Sequence, residues 1–333
     1  MEKILKFVES KRNNRNVFWR GILVVKDFFR LLSNLRRYFL FRKAFPQCIS
    51  DNRYFYQDKI NLSELNTCSE NITNHKKINL KDVSIIIPFY YDFQDRIDNL
   101  LYLVKFLKRY FNINIIVGEQ GPKSMLKPYL KNELNGIEYY YFKSNKYFYR
   151  TKISNILFKK AKGNIISLYD CDMILNPIQI FNAVQYIRKG FCDVVYPYCY
   201  EPTKIYDKNL FFNNFIFPFK LNRGRVPLFD NTYIFMGGVF FIDKNKLLRV
   251  GGESEYFRSW GREDDERYTR FKTLGLRVKN VYGLMYHLEH RRLLKGSNNN
   301  PYLKKNDTEL KKIKSMNQVE LETYIQSSGH YIS

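Results

Sequence analysis

Val83 to Ile87 is a run apolar but for Ser84 and closed by Pro88; Ile97, Leu101, Val104 and Leu107 then recur at helical spacing between Asp95 and Phe111, and Asn114 to Val117 turns apolar again. Strand, helix and strand within about 35 residues is the pattern of a βαβ unit. Such a unit has a parallel sheet and a right-handed crossover, and an apolar run without alternation reads as a strand buried on both faces. In open sheets of this kind ligands sit beyond the carboxyl ends of the strands. That marks Pro88 to Asp92, with Phe89 and Tyr90 between them, and Glu119-Gln120-Gly121 as the rim of a site. No glycine-rich phosphate loop follows either strand, which argues against a Rossmann dinucleotide site and a P-loop.

The pattern continues. A strand is expected over Ile137 to Phe142, and a helix begins at Phe148 to Asn155 with Arg150 on its front edge, where it is either a diphosphate clamp or an ordinary surface arginine. Gly163 to Leu168 reads as the next buried strand and runs directly into Tyr169-Asp170-Cys171-Asp172. Two aspartates one residue apart at the end of a buried strand are costly unless paired or metal-bound, and they can offer carboxylates to one hard cation. Asn176-Pro177 opens a helix through Lys189 with Ile180, Phe181, Val184 and Ile187 inward. After Gly237-Gly238, Val239 to Ile242 reads as a further buried strand, and Gly251-Gly252 ends the short helix Lys244 to Val250. Next comes Trp260-Gly261-Arg262-Glu263-Asp264-Asp265, an aromatic and three consecutive acids ahead of a helical pattern. Acids gain from the dipole and free N–H groups of a helix start, so that run by itself has a purely structural reading.

Composition narrows the function classes. Hydrophobic residues make up 45% of the 333 residues and aromatics 17%, enough for a sizeable core and incompatible with disorder throughout. Lys and Arg number 56 against 32 Asp and Glu, a formal net charge of +24 that favours an anionic partner. The five cysteines include no C-x-x-C pair and read as reduced thiols of a cytosolic protein, with neither a disulfide framework nor a zinc site. The first apolar run, Gly21 to Val25, is too short for a secretory signal, and no stretch approaches the roughly 20 apolar residues of a transmembrane helix. Three parts are expected. Residues 1–80 comprise a basic amphipathic segment to residue 44, suited either to an anionic membrane surface or to packing on the main domain, and then a linker. Residues 81–295 form the main α/β domain, and residues 296–333 a polar tail with one helix over Lys304 to Tyr324. Within the main domain, the aromatic and basic stretch from Pro202 to Arg225 reads as an acceptor- or lipid-facing loop or as a packed insertion.

A strand, D-x-D, G-G-V and W-G-x-E-D-D in this order resemble the nucleotide-sugar glycosyltransferases of the GT-A fold, and more narrowly the beta-1,4-galactosyltransferase and chondroitin-polymerase branch. I-I-P-F at Ile86 to Phe89, V-G-E-Q-G at Val117 to Gly121, and the segment with Arg150, Lys152 and Asn155 extend the likeness over Val83 to Arg292. The resemblance implies a mostly parallel central sheet flanked by helices. It assigns Pro88, Phe89, Tyr90, Gln120, Arg150, Asp170 and Gly238 to a UDP-sugar, and Asp172 with His287, for which His290 could substitute, to Mn2+ or Mg2+. Trp260, Arg262, Glu263 and Asp265 fall to a glycan acceptor, and Asp264 becomes the base that accepts the proton of the attacking hydroxyl. Arg262 stands where the pattern has Gly, Arg258 where it has Trp, and Tyr90, Tyr91 and Asp92 replace basic residues, a loss for which Arg96 compensates.

The expected activity is transfer of Gal, GalNAc, Glc or GlcNAc from a UDP-sugar to a growing bacterial surface glycan, lipid-linked, with inversion. The expected location is the cytoplasm, peripheral on the inner face of the membrane through residues 1–44. A retaining transferase, a nucleic-acid-binding protein and an inactive scaffold are the rivals. Nucleic acid is not the expected partner, because the acids of D-C-D and E-D-D would repel phosphates without a metal.

Overall fold

The computed structural model describes residues 76–199, 202–208, 236–281, 283–292 and 300–332. The expected amphipathic segment of residues 1–44, Cys48, Cys68 and most of the aromatic stretch 202–225 lie outside the described residues. Strand β1 (Ile78–Tyr90) leads by helix α1 (Gln94–Tyr110) to β2 (Phe111–Gly121), and β3 (Glu138–Lys143), α2 (Arg150–Lys160) and β4 (Ile165–Tyr169) follow. The strands line up as β3-β2-β1-β4, all parallel. β1 is longer than its apolar run because Ile78 to Leu80 also pair with β2, across a register shift before Ser84.

After β4 come β5 (Met173–Leu175), α3 (Pro177–Arg188), β6 (Val194–Tyr196), β7 (Thr203–Ile205) and β8 (Val239–Asp243). The chain goes on through α4 (Lys244–Arg249), α5 (Glu263–Thr273), β9 (Val278–Asn280) and β10 (Met285–Leu288). β8, β6 and β9 complete a seven-stranded sheet in which β8 alone runs against the rest. This mixed but mostly parallel sheet agrees with the fold class expected from sequence. Its interior is apolar on both faces, with Ile85, Ile86, Ile87, Val117, Leu168, Phe241 and Ile242 all fully buried. α3 starts where Asn176 accepts a hydrogen bond from the Ile178 amide at 2.9 Å, and α4 where Asp243 does the same for Lys246 at 3.0 Å.

A small second sheet decides where the chemistry lies. β10 pairs antiparallel with β5, with His287 opposite Met173, and pairs parallel with β7. The Leu288 amide donates to the Asp172 carbonyl at 2.7 Å. A strand far along the chain is thereby stitched to the residue that ends D-x-D.

The tail differs from expectation. It forms two helices, α6 (Leu303–Lys314) and α7 (Gln318–Ser327), because Asn317 starts a new helix with a capping box. Its side chain accepts from the Glu320 amide at 3.0 Å while the Asn317 amide donates to Glu320 Oε2 at 2.8 Å. Leu310, Ile313 and Leu321 bury with Phe257 in a satellite cluster, so both helices cover the segment that follows Gly251-Gly252. Gly252 has φ of +66°, and a Cβ there would lie 2.4 Å from Ile332 and 2.6 Å from Asn155 Oδ1. No helix among the described residues is long and apolar enough to cross a membrane.

Candidate active site

A pocket opens at the carboxyl ends of β1 and β4; of the two stretches expected at its rim, Pro88 to Asp92 contributes, and Glu119-Gln120-Gly121 at the end of β2 does not. Pro88 and Tyr90 line it, as do Arg150, Asp170 and Asp172 on one side and Trp260, Glu263 and Asp264 on the other. The pleat that turns Pro88 and Tyr90 into this space turns Phe89 away, and Phe89 is wholly buried in the core. The nucleotide contact expected of its side chain is therefore corrected to a packing role. Gln120 is corrected likewise: its side chain donates to Tyr147 O at 3.0 Å and accepts from the Tyr149 amide at 2.8 Å, fastening the loop whose Tyr147 and Phe148 face the pocket. Gly238 has φ of +89° and a Cβ there would lie 3.1 Å from Met173; its carbonyl accepts from the Asp170 amide at 2.8 Å, so it shapes D-x-D from behind.

Asp172, His287 and His290 gather their donor atoms within 4.8 Å of one another. The preference for His287 over His290 is thus corrected to both. His290 Nδ1 lies 2.7 Å from the Arg291 carbonyl, which can only accept, so Nδ1 carries the hydrogen. His290 Nε2 then faces Asp172 Oδ2 at 2.8 Å, two acceptors that suit a cation or a proton between them. His287 Nε2 lies 3.1 Å from Arg292 Nη2, which can only donate, and its Nδ1 faces Glu289 Oε1 at 3.4 Å. Burial holds the His287 pKa below the ordinary imidazole range, in keeping with an Nε2 lone pair that faces a donor. Asp172 is buried, which alone would raise its pKa, but the His290 hydrogen bond and the Arg96 charge hold it well below the usual carboxylate range. Its Oδ1 is buried without a hydrogen-bond partner. An orphaned carboxylate oxygen and two imidazole nitrogens aimed at one region fit a divalent cation of the Mn2+ or Mg2+ kind, with Glu289 orienting His287 from outside.

The acid-rich end is built on α5. Arg262 has φ of +78°, a left-handed conformation that suits glycine and strains an L-residue. A glycine at that point would carry no such strain. Arg262 donates to Asp307 on α6 at 2.5 Å and lies 3.7 Å from Asp265, so the two residues expected to hold acceptor are engaged with each other and α6, and neither lines the pocket. Glu263 is buried and accepts from the Gly261 amide at 2.8 Å; burial and then the Asp264 charge push its carboxyl up to about 7. Asp264 Oδ1 accepts from Arg267, a fully buried guanidinium that also grips both Glu253 oxygens at 2.9 and 3.1 Å and lies 4.4 Å from the Phe240 ring centre. Arg150 joins the two ends: it donates to Asp170 Oδ1 at 2.8 and 3.2 Å, while its Nη1 stands 3.9 Å from both Glu253 and Asp264. Trp260, 41% exposed, sits on a loop tied to the tail by Asn300 to Trp260 O at 2.7 Å and Asn306 to Gly261 O at 2.9 Å.

Glu253, Arg267, Arg292 and Asn306 were not singled out from sequence. Arg267 had a signal, since it falls three residues after Asp264 on one helix face. Glu253 had none beyond following a glycine pair.

A family model described as glycosyl transferase family 2 matches residues 84–251, just over half of the chain. The chain belongs to glycosyl transferase family 2. A second model, described as the N-terminal domain of galactosyltransferase, matches residues 229–291, which includes the acid-rich end of this glycosyltransferase. It is 25% identical over 213 residues to a hyaluronan synthase of Pasteurella multocida, covering 55% of this chain and 22% of that protein. It is 24% identical over 248 residues to a chondroitin synthase of Escherichia coli, covering 64% of this chain and 36% of that protein. The chain thus spans about a fifth and about a third of these two relatives. A solved structure of S. aureus TarS residues 1–349 in complex with UDP-GlcNAc shares the fold at 12% identity, with a TM-score of 0.50 over 74% of this chain and 70% of that one.

Proposed function

We propose that this glycosyltransferase moves a hexose or N-acetylhexosamine from a UDP-sugar to a glycan acceptor, with inversion and with a divalent metal. The carrying observation is that Asp172, His287 and His290 converge at one end of a pocket whose other end holds Asp264 and Trp260. Likeness to proteins named hyaluronan synthase and chondroitin synthase supports a glycan product and the assembly of a bacterial surface polysaccharide. The basic residues 1–44 support a peripheral place on the cytoplasmic face of the membrane, where a lipid-linked acceptor would lie.

Asp172, His287 and His290 would hold Mn2+ or Mg2+, which supplies positive charge to the leaving diphosphate. Arg150 is the second diphosphate contact; its buried Nη1 has no hydrogen-bond partner and borders the pocket. Pro88, Tyr90 and Phe148 wall the nucleotide end, with the Tyr90 and Phe148 rings 5.5 Å apart. Trp260 offers an exposed ring as a platform for the acceptor sugar. Arg267 pins Asp264 by Oδ1, and the second carboxylate oxygen takes the proton from the attacking hydroxyl. The fixed base and the Trp260 platform on one side, with the donor on the other, set up displacement from the face opposite the leaving group.

A panel of UDP-sugars, read by thermal stabilisation and by turnover with Mn2+, tests this reading. One or more should stabilise and be turned over, Asp172→Ala should remove both effects, and the product's anomeric configuration by NMR should be inverted. Absence of any Mn2+-dependent response to UDP or to UDP-sugars would sink it.

A further inference from the structure

His287 Nε2 has a single lone pair, and two partners want it. One is the cation that Asp172 and His290 also face; the other is the Arg292 guanidinium 3.1 Å away. Both cannot be served at once, because a divalent ion on that nitrogen would displace the N–H that points at it and would repel the positive charge behind it. Arg292 differs from the other arginine here. Arg96 is mostly buried, its side chain 17% exposed, and is held 3.7 Å from Asp172 and 3.3 Å from His290 Nε2. Arg292 is exposed, lines the pocket, and has no carboxylate within ion-pair distance among the described residues. Its only hydrogen bond there is the one to His287. A planar fork released at that point stands in the same pocket as Arg150 and matches the oxygens of a phosphate.

Resting on the reading of this pocket as a metal-dependent UDP-sugar site, we propose that Arg292 is a stand-in for the divalent cation: it occupies His287 Nε2 in the metal-free protein and, once the cation takes that nitrogen, clamps the diphosphate of the donor.

Calorimetric titration of the full chain with MnCl2 alone, and then with UDP in saturating Mn2+, tests this on wild type, Arg292→Gln and Lys208→Gln. Lys208 is a charge control: its ammonium feels Asp172 but bonds to the Asp95 carbonyl at 3.4 Å, and not to a histidine. Arg292→Gln should bind Mn2+ about three- to tenfold more tightly and UDP in Mn2+ about tenfold more weakly, changes of opposite sign from one substitution. Lys208→Gln should change neither by more than about twofold. Unchanged Mn2+ affinity in Arg292→Gln, unchanged UDP affinity, or equal tightening of Mn2+ by both substitutions would each overturn the proposal. Wild type that binds no UDP in Mn2+ would remove the reading of the pocket itself, an outcome distinct from any of these.

Discussion

Replacing Arg267 by Met removes a guanidinium that is 1% exposed and leaves Glu253, equally buried, facing the space it filled. Breaking a buried pair by taking one partner typically costs about 3–5 kcal/mol, because the remaining charge is uncompensated. Two features place this case near the lower end. Arg150 Nη1 is 3.9 Å from Glu253, and burial already raises the Glu253 carboxyl against the pull of Arg267, so the acid can escape by taking a proton. A loss of about 3 kcal/mol lowers the Tm of a domain this size by roughly 6–12 °C. The sign of the pH dependence follows. Without Arg267 the folded Glu253 pKa rises further above its unfolded value of 4.5, so the folded state binds the extra proton and stability falls as pH rises through that window. The deficit should therefore be smaller at pH 5 than at pH 8, and Glu253→Gln combined with Arg267→Met should recover half of it or more. Differential scanning calorimetry of the four proteins at the two pH values measures this. A Tm shift under about 2 °C at pH 8, or a deficit that Glu253→Gln does not relieve, refutes the account of this network.

Asp264→Asn keeps the shape of the carboxylate and removes the base, so UDP binding should persist while transfer drops by about 10²- to 10⁴-fold in steady-state assays; transfer at the wild-type rate would assign the proton elsewhere. Glu263, pushed up to about 7 from an ordinary 4.5, contributes stability that is fully present below pH 4.5 and is lost as pH rises through 7. Urea unfolding should show wild type losing up to about 3 kcal/mol more than Glu263→Gln over that range, and parallel pH profiles would contradict it. Asn306→Ala cuts the ties from α6 to the Arg258 and Gly261 carbonyls, and should raise KM for acceptor several-fold with UDP affinity unchanged; an equal loss in both would place the effect on the whole fold.

Much of the fold was legible because β1, β2, β4 and β8 each contain a short apolar run closed by Pro, Gly or Asp, a signal local to each run. The two acidic clusters were legible for the same reason, since D-x-D and E-D-D carry their geometry in their own spacing. The errors lie where information is not local. A strand buried on both faces shows no alternation, so nothing in Ile85 to Tyr90 says whether Phe89 or its neighbours point to the pocket. His287 and His290 reach Asp172 only because β10 pairs with β5, and Glu253 meets Arg267 only because the turn after Gly251-Gly252 packs against α5. Arg262 was visible as a departure from Gly, but its left-handed backbone and its bond to Asp307 on α6 were not. The Asn317 to Glu320 capping box is a local signal, N-x-x-E, and it is what divides the tail into two helices.

The loop carrying Trp260 is secured by residues that follow it by some 40 positions, Asn300 and Asn306. During synthesis the parallel strands, D-x-D, α5 and β10 are all made before those two asparagines and emerge from the ribosome ahead of them. The donor end can assemble on the nascent chain while the acceptor platform is still untied. A glycosyltransferase built in this order gains the ability to grip a nucleotide sugar before it gains a place to deliver it, and the step that closes that interval is the docking of α6.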